Sequence, residues 1–250
     1  MKLKILFSLL GTLLILFIVV PLVRMIVSVD PADLAKTAIE PDVLASIVLT
    51  LRASLWATLA AFLLGIPLAF ILARSRFFGQ KIIEGLIDIP VIIPHTAAGI
   101  ALLMVWGRQS LFTRWTGISI VGTEAAVSIG MFFVSVPFLI NSAKAAFRLI
   151  DVRFEKTAIS LGASPWQAFK TVSLPMTKKA IISGGIMMWA RGISEFGAVV
   201  VLAYHPMTAS VLIFERFQNF GLRYAAPVTV LLILISLVIF TFLRILEDRR

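Results

Sequence analysis

The sequence predicts an all-α membrane protein with six transmembrane helices and both termini in the cytoplasm. Three observations lead to this fold class: the composition, the long apolar runs and the uneven distribution of lysine and arginine. Of the 250 residues, 60% are apolar and 14% are charged, whereas soluble domains carry about 25% charged residues. A chain with so few charges is solvated by lipid along most of its length.

Six apolar runs are long enough to cross a bilayer, since about 20 helical residues span roughly 30 Å of hydrocarbon. The first run follows Met-Lys-Leu-Lys and is longer than the apolar run of a signal peptide, so we expect a retained helix. Pro90, Pro94 and Pro137 lie within runs and predict kinks. The expected spans are residues 4–28, 43–73, 86–107, 124–143, 180–203 and 224–246.

The orientation follows from the excess of basic residues that membrane proteins place on cytoplasmic loops. With the N-terminus inside, the inner segments carry Lys2, Lys4, Arg74, Arg76, Lys81, Lys144, Arg148, Arg153, Lys156, Lys170, Lys178, Lys179, Arg244, Arg249 and Arg250. The outer segments carry only Arg24, Lys36, Arg108, Arg114, Arg216 and Arg223. The net charge of +10 therefore reflects topology, and we expect the lipid bilayer and no nucleic acid as a partner. The absence of cysteine excludes a disulfide framework.

A polar stretch at residues 151–175 interrupts the apolar chain on the cytoplasmic side. Asp151 is placed to cap a short helix, and Glu155 adds negative charge to its first turn. Ala158 belongs to the apolar face of that helix. Gly162 is placed to end it in the left-handed conformation that glycine adopts easily.

A second short helix is predicted directly after Gly162. Ser164 and Gln167 have the spacing of a capping box around Pro165, and Pro175 is expected to end the helix. The side chains expected on its surface are Trp166, Phe169 and Lys170.

The residues themselves leave more than one interpretation of this segment open. It either lies on the lipid headgroups, held by its lysines and Trp166, or docks into a groove of a soluble protein. A DNA-binding helix-turn-helix is disfavoured because predicted spans tether the segment at both ends.

The segment resembles the cytoplasmic signature of permease subunits of binding-protein-dependent ABC importers: Glu-Ala-Ala, three residues, Gly, nine residues, Ile-x-Leu-Pro. Here Lys156-Thr157-Ala158, then Gly162, then Val172-Ser173-Leu174-Pro175 stand at those positions, although Lys156 replaces the glutamate and Glu155 lies one residue early. The resemblance implies coupling helices that sit in a cleft of an ATPase subunit. The residues expected to contribute are Glu155, Ala158, Gly162, Ala163, Ser164, Pro165, Trp166, Phe169, Leu174 and Pro175.

The fifth expected span contains two charged residues near the middle of the bilayer. Arg191 lies roughly 17 Å deep at 1.5 Å per residue, where a charge costs about 3 kcal/mol, and Glu195 follows one turn later. One interpretation is an ion pair that fixes helix packing, with Gly184, Gly192 and Gly197 allowing close contact. The other is that Arg191 helps an anion past the middle or forms part of a gate.

Two further polar residues lie in expected spans and complete the candidates for a translocation path or gate. His95 has no obvious acidic partner in the sequence, so it is either a packing residue or a proton relay. Arg52 lies in the outer half of the second span, where it either extends toward water or acts directly. The full candidate set is Arg191, Glu195, His95 and Arg52.

Residues 88–101, 191–201 and 205–216 resemble the molybdate/tungstate permeases and, less closely, the sulfate permeases. The resemblance implies a homodimer around one central path, two ATPase subunits below it and an extracytoplasmic molybdate/tungstate-binding protein above. It also implies alternating access driven by ATP. The chain lacks the phosphate-binding Gly-x-x-x-x-Gly-Lys-Ser/Thr loop, so ATP and Mg are expected on the partner, with no cofactor or metal on this chain.

We therefore expect one transmembrane permease domain over residues 1–250, with a core at 43–246, in the cell membrane. The chain itself is not expected to be an enzyme, since its spans show no nucleophile–base or metal constellation. A sulfate-type permease is the alternative within the class. An ion-driven secondary transporter is the less favoured rival, because it needs coupling carboxylates in the membrane and Glu195 is the one clear candidate.

Overall fold

The computed structural model describes residues 2–248, and every regular element in that range is helical. The predicted all-α class is therefore confirmed. The α-helices are α1 (Lys2–Ser28), α2 (Pro31–Ala38), α3 (Pro41–Arg74), α4 (Gln80–Ile92), α5 (His95–Trp106), α6 (Leu111–Thr116), α7 (Glu124–Leu149), α8 (Val152–Ser160), α9 (Pro165–Ala168), α10 (Leu174–Ile193), α11 (Gly197–Leu202), α12 (Ala209–Phe220) and α13 (Leu222–Asp248). A π-helical turn, Phe169–Ser173, joins α9 to α10.

Four helices are long and apolar enough to cross a membrane by themselves: α1, α3, α7 and α13. They correspond to the first, second, fourth and sixth expected spans. The helix α7 continues to Leu149, six residues beyond the expected end, and Pro137 does not interrupt it. None of the spanning residues of α1 is buried against the rest of the described chain.

The third expected span, residues 86–107, is not one straight helix. It is divided into α4 and α5, and the pair bends by 115° at the break. Ile93 is extended, with φ −73° and ψ 150°, because the ring of the following proline keeps the preceding residue out of the helical region. Pro94 then immediately precedes α5 and cannot donate a backbone hydrogen bond to α4. The predicted kink is therefore a complete break.

The fifth expected span, residues 180–203, is also interrupted. The helix α10 ends at Ile193 and α11 begins at Gly197. The helix α10 contains three basic residues, Lys178, Lys179 and Arg191, and is not among the helices that are apolar enough to cross a membrane by themselves. The count of six spans stays a prediction.

The centre of the molecule is the contact between α3 and α7, the most extensive between two helices. Small residues recur every fourth position along α3 and are all buried: Ala53, Ala57, Ala61, Gly65 and Ala69. Such a stripe lets two membrane helices approach closely. At Gly65, an added Cβ would come within 3.2 Å of Ile140 Cγ1 on α7. The α3–α7 pair therefore forms the base on which α10 and α11 rest.

Candidate functional site

The helix α8 has the start and the end that its sequence predicts. Asp151 accepts a hydrogen bond from the backbone N–H of Arg153 at 2.9 Å. Beyond the helix, Gly162 has φ +96°, and the N–H of Ala163 donates to the carbonyl of Ala158 at 3.0 Å. These features define a glycine-terminated helix end, so the predicted left-handed conformation of Gly162 is confirmed.

The second short helix begins as predicted but ends differently. Ser164 and Gln167 form the predicted capping box, with Pro165 in the first turn. Pro175 was expected to end the helix, and this prediction is wrong. The chain passes through the π-helical turn, in which the N–H of Leu174 donates to the carbonyl of Phe169. Pro175 then lies in the first turn of α10. Because Ser173 and Leu174 before it keep helical backbone angles, a continuous helical rod runs from α9 into α10.

Glu155 points into the protein and holds the segment against α3. Its carboxylate accepts hydrogen bonds from Arg74 Nη2 at 2.7 Å and Nε at 2.9 Å, and from Ser173 Oγ at 2.7 Å. The side chains of Arg74 and Glu155 are only 11% and 12% exposed. The placement of Glu155 in the first turn of α8 was predicted, whereas its ion pair with the end of α3 was not.

The aromatic residues of the segment divide between its surface and its interior. Trp166 is 64% exposed and stacks on Phe169 with ring centroids 5.5 Å apart. Phe169 was expected on the surface, but it is half-buried, and its ring lies 4.9 Å from that of Phe70. Because a helix turns about 100° per residue, residues three apart such as Trp166 and Phe169 lie on the same side of it. On that side α3 covers Phe169, while Trp166 stays exposed. The most exposed apolar side chains of the segment are therefore Phe154, Leu161 and Trp166, and Val152 and Ile159 are exposed as well.

Three charged or titratable side chains meet where the third and fifth expected spans are broken. Arg191 Nη2 lies 3.0 Å from Glu195 Oε2, and His95 Nδ1 lies 2.9 Å from the same oxygen. Arg191 Nη2 also lies 2.7 Å and 2.8 Å from the two ring nitrogens of His95. We call Arg191, His95 and Glu195 the charge cluster. His95 was expected to lack an acidic partner, and this expectation is wrong because the fold places Glu195 beside it.

Glu195 joins the helices that surround the charge cluster. Its Oε1 accepts a hydrogen bond from the N–H of Ala198 in α11 at 2.9 Å, and its carbonyl accepts one from Ser210 Oγ in α12 at 2.7 Å. Its Oε2 meets Arg191 and His95 as a charge contact rather than as an aligned hydrogen bond. Glu195 therefore ties together the ends of α5, α10, α11 and α12.

A glycine permits the close approach of the two broken spans at the charge cluster. A Cβ added to Gly197 would lie 2.7 Å from the Cβ of His95, closer than two carbon atoms can pack. Similarly, a Cβ on Gly184 of α10 would lie 2.6 Å from that of Ser142 on α7. Both contacts are consistent with the expectation from the sequence that Gly184 and Gly197 allow helices to pack closely.

The side chains of the charge cluster differ in their exposure. The Glu195 side chain is 1% exposed, whereas those of Arg191 and His95 are 23% and 33% exposed. The Arg191 guanidinium and the His95 ring therefore lie between the carboxylate and the accessible surface. The exposed side of the cluster can attract an anion because the buried carboxylate lies behind the guanidinium of Arg191.

Arg52 forms a separate site. Its Nε donates to Glu124 Oε1 at 2.7 Å, and its Nη2 donates to Oε2 of the same carboxylate. This bidentate pair joins the N-terminal half of α3 to the first residue of α7, and the Arg52 side chain is 56% exposed. The pair lines a cavity of about 650 Å³ with Asp42, Glu215 and Arg216. Glu124 is a partner that sequence reasoning missed, since 72 residues separate it from Arg52.

Comparison with known proteins identifies the family. The profile of the binding-protein-dependent transport system inner membrane component matches residues 65–250. The chain is 41% identical to the molybdate/tungstate transport system permease protein WtpB of Thermococcus kodakarensis, over 98% of this chain and 96% of that protein. It is equally 41% identical to that of Pyrococcus furiosus, over 97% and 94%. It is 35% identical to a probable sulfate transport system permease protein of Chlorokybus atmophyticus, over 82% and 74%.

Solved structures agree at the level of the fold. A bacterial ABC transporter involved in the import of alginate superposes with a TM-score of 0.76 at 16% identity, over 98% of this chain and 96% of the other. A bacterial alginate ABC transporter in complex with alginate pentasaccharide-bound periplasmic protein gives a TM-score of 0.75 at 17% identity, over 98% of this chain and 94% of the other. The resemblance seen in the signature of residues 151–175 is thereby confirmed: the chain is a multi-pass cell-membrane protein and belongs to the family of inner membrane components of binding-protein-dependent ABC transport systems.

Proposed function

We propose that this chain is the membrane permease of an ATP-driven importer for molybdate or tungstate. The observation that carries the proposal is the 41% identity, over nearly the full length, to proteins named for molybdate/tungstate transport. Translocation proceeds by alternating access, and ATP with Mg is bound by a separate ATPase subunit rather than by this chain.

We propose six spans with both termini in the cytoplasm and one permease domain over residues 1–250. The bent pair of α4 and α5 serves as the third span, and α10 with α11 serves as the fifth. Basic residues at the ends of α3 and α7, Arg74 and Arg148, support a cytoplasmic location for these ends. In this orientation α8 and α9 lie in the cytoplasm between the fourth and fifth spans.

The segment 151–175 is proposed to couple the permease to its ATPase. Its most exposed apolar side chains, Phe154, Leu161 and Trp166, offer a surface that a groove of a soluble subunit can bury. Glu155 acts by positioning this surface, because its carboxylate is turned toward Arg74. The rod formed by α9, the π-helical turn and α10 then leads from the ATPase contact to Arg191 in the charge cluster.

The proposed assembly contains a second copy of the chain, two ATPase subunits and an extracytoplasmic oxyanion-binding protein. Support comes from the family, whose members work with binding proteins, and from the alginate transporter structure that includes its periplasmic protein. The charge cluster is proposed to border the central path, where Arg191 and His95 attract the oxyanion. The pair of Arg52 and Glu124 is proposed as a gate at the outer end.

The function is tested by ATP hydrolysis of the complex reconstituted with its binding protein, adding molybdate, tungstate and sulfate in turn. We expect molybdate or tungstate to stimulate hydrolysis and sulfate to have little effect. Sulfate is the second candidate because a sulfate permease is 35% identical, and stimulation by sulfate alone would establish it. Uptake that follows an ion gradient without ATP would refute both.

The role of the charge cluster is tested separately with Arg191→Ala. We expect at least a tenfold loss of uptake, because the path loses its principal cation. Arg223→Ala is the matched control, since Arg223 is exposed at the start of α13 and distant in sequence from the cluster. Normal uptake by a correctly assembled Arg191→Ala complex would remove Arg191 from the path.

A further inference from the structure

An apolar groove runs along the inner half of α3 and has no role in the proposed transport path. It has a volume of about 530 Å³ and lies between α3 and the start of the rod formed by α9, the π-helical turn and α10. Aromatic and aliphatic side chains line it, among them Phe62, Leu63, Ile66, Phe70, Trp166 and Phe169. Leu63 is 75% exposed, so the groove opens to the outside of the molecule.

The end of the groove at the coupling segment carries positive charge. Lys170 Nζ lies 5.6 Å from the ring centroid of Trp166, and the Arg74 guanidinium carbon lies 6.0 Å from that of Phe70. The charge of Arg74 is balanced by Glu155. Lys170 forms no ion pair with the carboxylates of the described residues, so its charge is available to an anion outside the chain.

The depth of the groove determines what can fill it. Its α3 residues extend from Phe62 to Ile71, and at 1.5 Å per residue this stretch of helix covers about 14 Å. No charged residue lies between Arg52 and Arg74 of α3, and this stretch is about as long as the roughly 30 Å of hydrocarbon. In the proposed cytoplasmic orientation of Arg74, the groove therefore lies in the inner half of the hydrocarbon. A soluble subunit cannot follow it to that depth, whereas a lipid acyl chain can.

We propose that the groove binds an anionic phospholipid of the cytoplasmic leaflet, with one acyl chain along α3 and the headgroup phosphate on Lys170. The proposal rests on the proposed orientation of the chain but not on its substrate. An ammonium group beside an apolar groove at the cytoplasmic surface is complementary to such a lipid in both charge and polarity. Trp166 belongs to both the groove and the coupling segment, so the bound lipid contacts the element proposed to meet the ATPase.

Lipid retention tests the proposal directly. The complex of permease and ATPase subunits is purified from nanodiscs containing equal phosphatidylglycerol and phosphatidylcholine, and the bound lipid is measured by native mass spectrometry. We expect at least fivefold enrichment of phosphatidylglycerol. Lys170→Gln should abolish the enrichment, and Ile66→Trp should remove the bound lipid because it fills the groove. The control Lys179→Gln, which removes an exposed lysine of α10 that does not line the groove, should behave as the wild type.

A second measurement identifies the occupant without relying on a groove-filling variant. The chain has no cysteine, so Leu63→Cys accepts a single fluorescent label, which a phosphatidylglycerol carrying a nitroxide on its acyl chain should quench. Equal retention of the two lipids, or retention unaffected by Lys170→Gln, would overturn the proposal. An unquenched label would also overturn it, because a second copy or the ATPase subunit would then cover the groove. These readouts need no oxyanion, so they remain informative if the proposed substrate is wrong.

Discussion

Replacing Glu155 by glutamine tests how the coupling segment is held to the membrane part of the protein. The carboxylate accepts hydrogen bonds from two nitrogens of Arg74 and from Ser173 Oγ, at 2.7–2.9 Å for the three shortest contacts. The side chains of Glu155 and Arg74 are almost buried, so water screens the pair poorly. Hydrogen bonds to charged groups contribute about 1.5–3 kcal/mol. The amide retains one acceptor oxygen, and we therefore expect a loss of about 2 kcal/mol.

Hydrogen–deuterium exchange of α8 measures this loss directly. Since 1.4 kcal/mol corresponds to a factor of ten, about 2 kcal/mol predicts roughly 30-fold faster exchange of the α8 amides when the segment opens locally. The control is Arg153→Gln, because Arg153 is 89% exposed and its nearest carboxylate contact, to Asp151, is 3.8 Å. Arg153→Gln should leave exchange unchanged. The charge exchange Arg74→Glu with Glu155→Arg should restore part of the protection.

The same variant separates a positioning role from direct contact with the ATPase. We expect Glu155→Gln to lower the transport achieved per ATP hydrolysed while the ATPase subunit still copurifies, because the exposed surface of the segment remains. Exchange rates within threefold of the wild type would refute the reasoning about the ion pair. Complete loss of the ATPase subunit with normal exchange would show that Glu155 contacts the partner.

Three further predictions concern the turn, the charge cluster and the helix contact. Gly162→Ala should destabilise the end of α8 by about 1–2 kcal/mol, because a side chain is strained at φ +96°; faster exchange of the last α8 turn reports this, and unchanged exchange would contradict it. Glu195→Ala should lower the thermal midpoint and uptake more than Glu195→Gln, which keeps an acceptor for the N–H of Ala198; equal effects would show that the negative charge alone matters. Ala61→Leu should destabilise the fully buried α3–α7 contact by about 1–3 kcal/mol, and an unchanged thermal midpoint would contradict it.

Local features of this protein were predictable from the sequence because their causes lie within a few residues. The spans α1, α3, α7 and α13 follow from uninterrupted apolar runs. The left-handed Gly162 and the capping box of Ser164 with Gln167 depend on backbone groups three to five residues away. The prediction at Pro175 was wrong for a reason that is also local. Proline is expected to end a helix when it lies in the interior of that helix, whereas Pro175 directly follows a π-helical turn and lies in the first turn of α10.

The contacts that define the sites depended on the tertiary structure. The ion pairs of Arg52 with Glu124 and of Arg74 with Glu155 join residues 72 and 81 positions apart. His95 lacked an acidic partner in the sequence because Glu195 reaches it only after two broken helices meet at Gly197. The apolar runs of the sequence determined which helices are long and apolar enough to cross a membrane. Which charges meet there was decided by the close approach of helices, since no local pattern encodes a contact between residues so far apart along the chain.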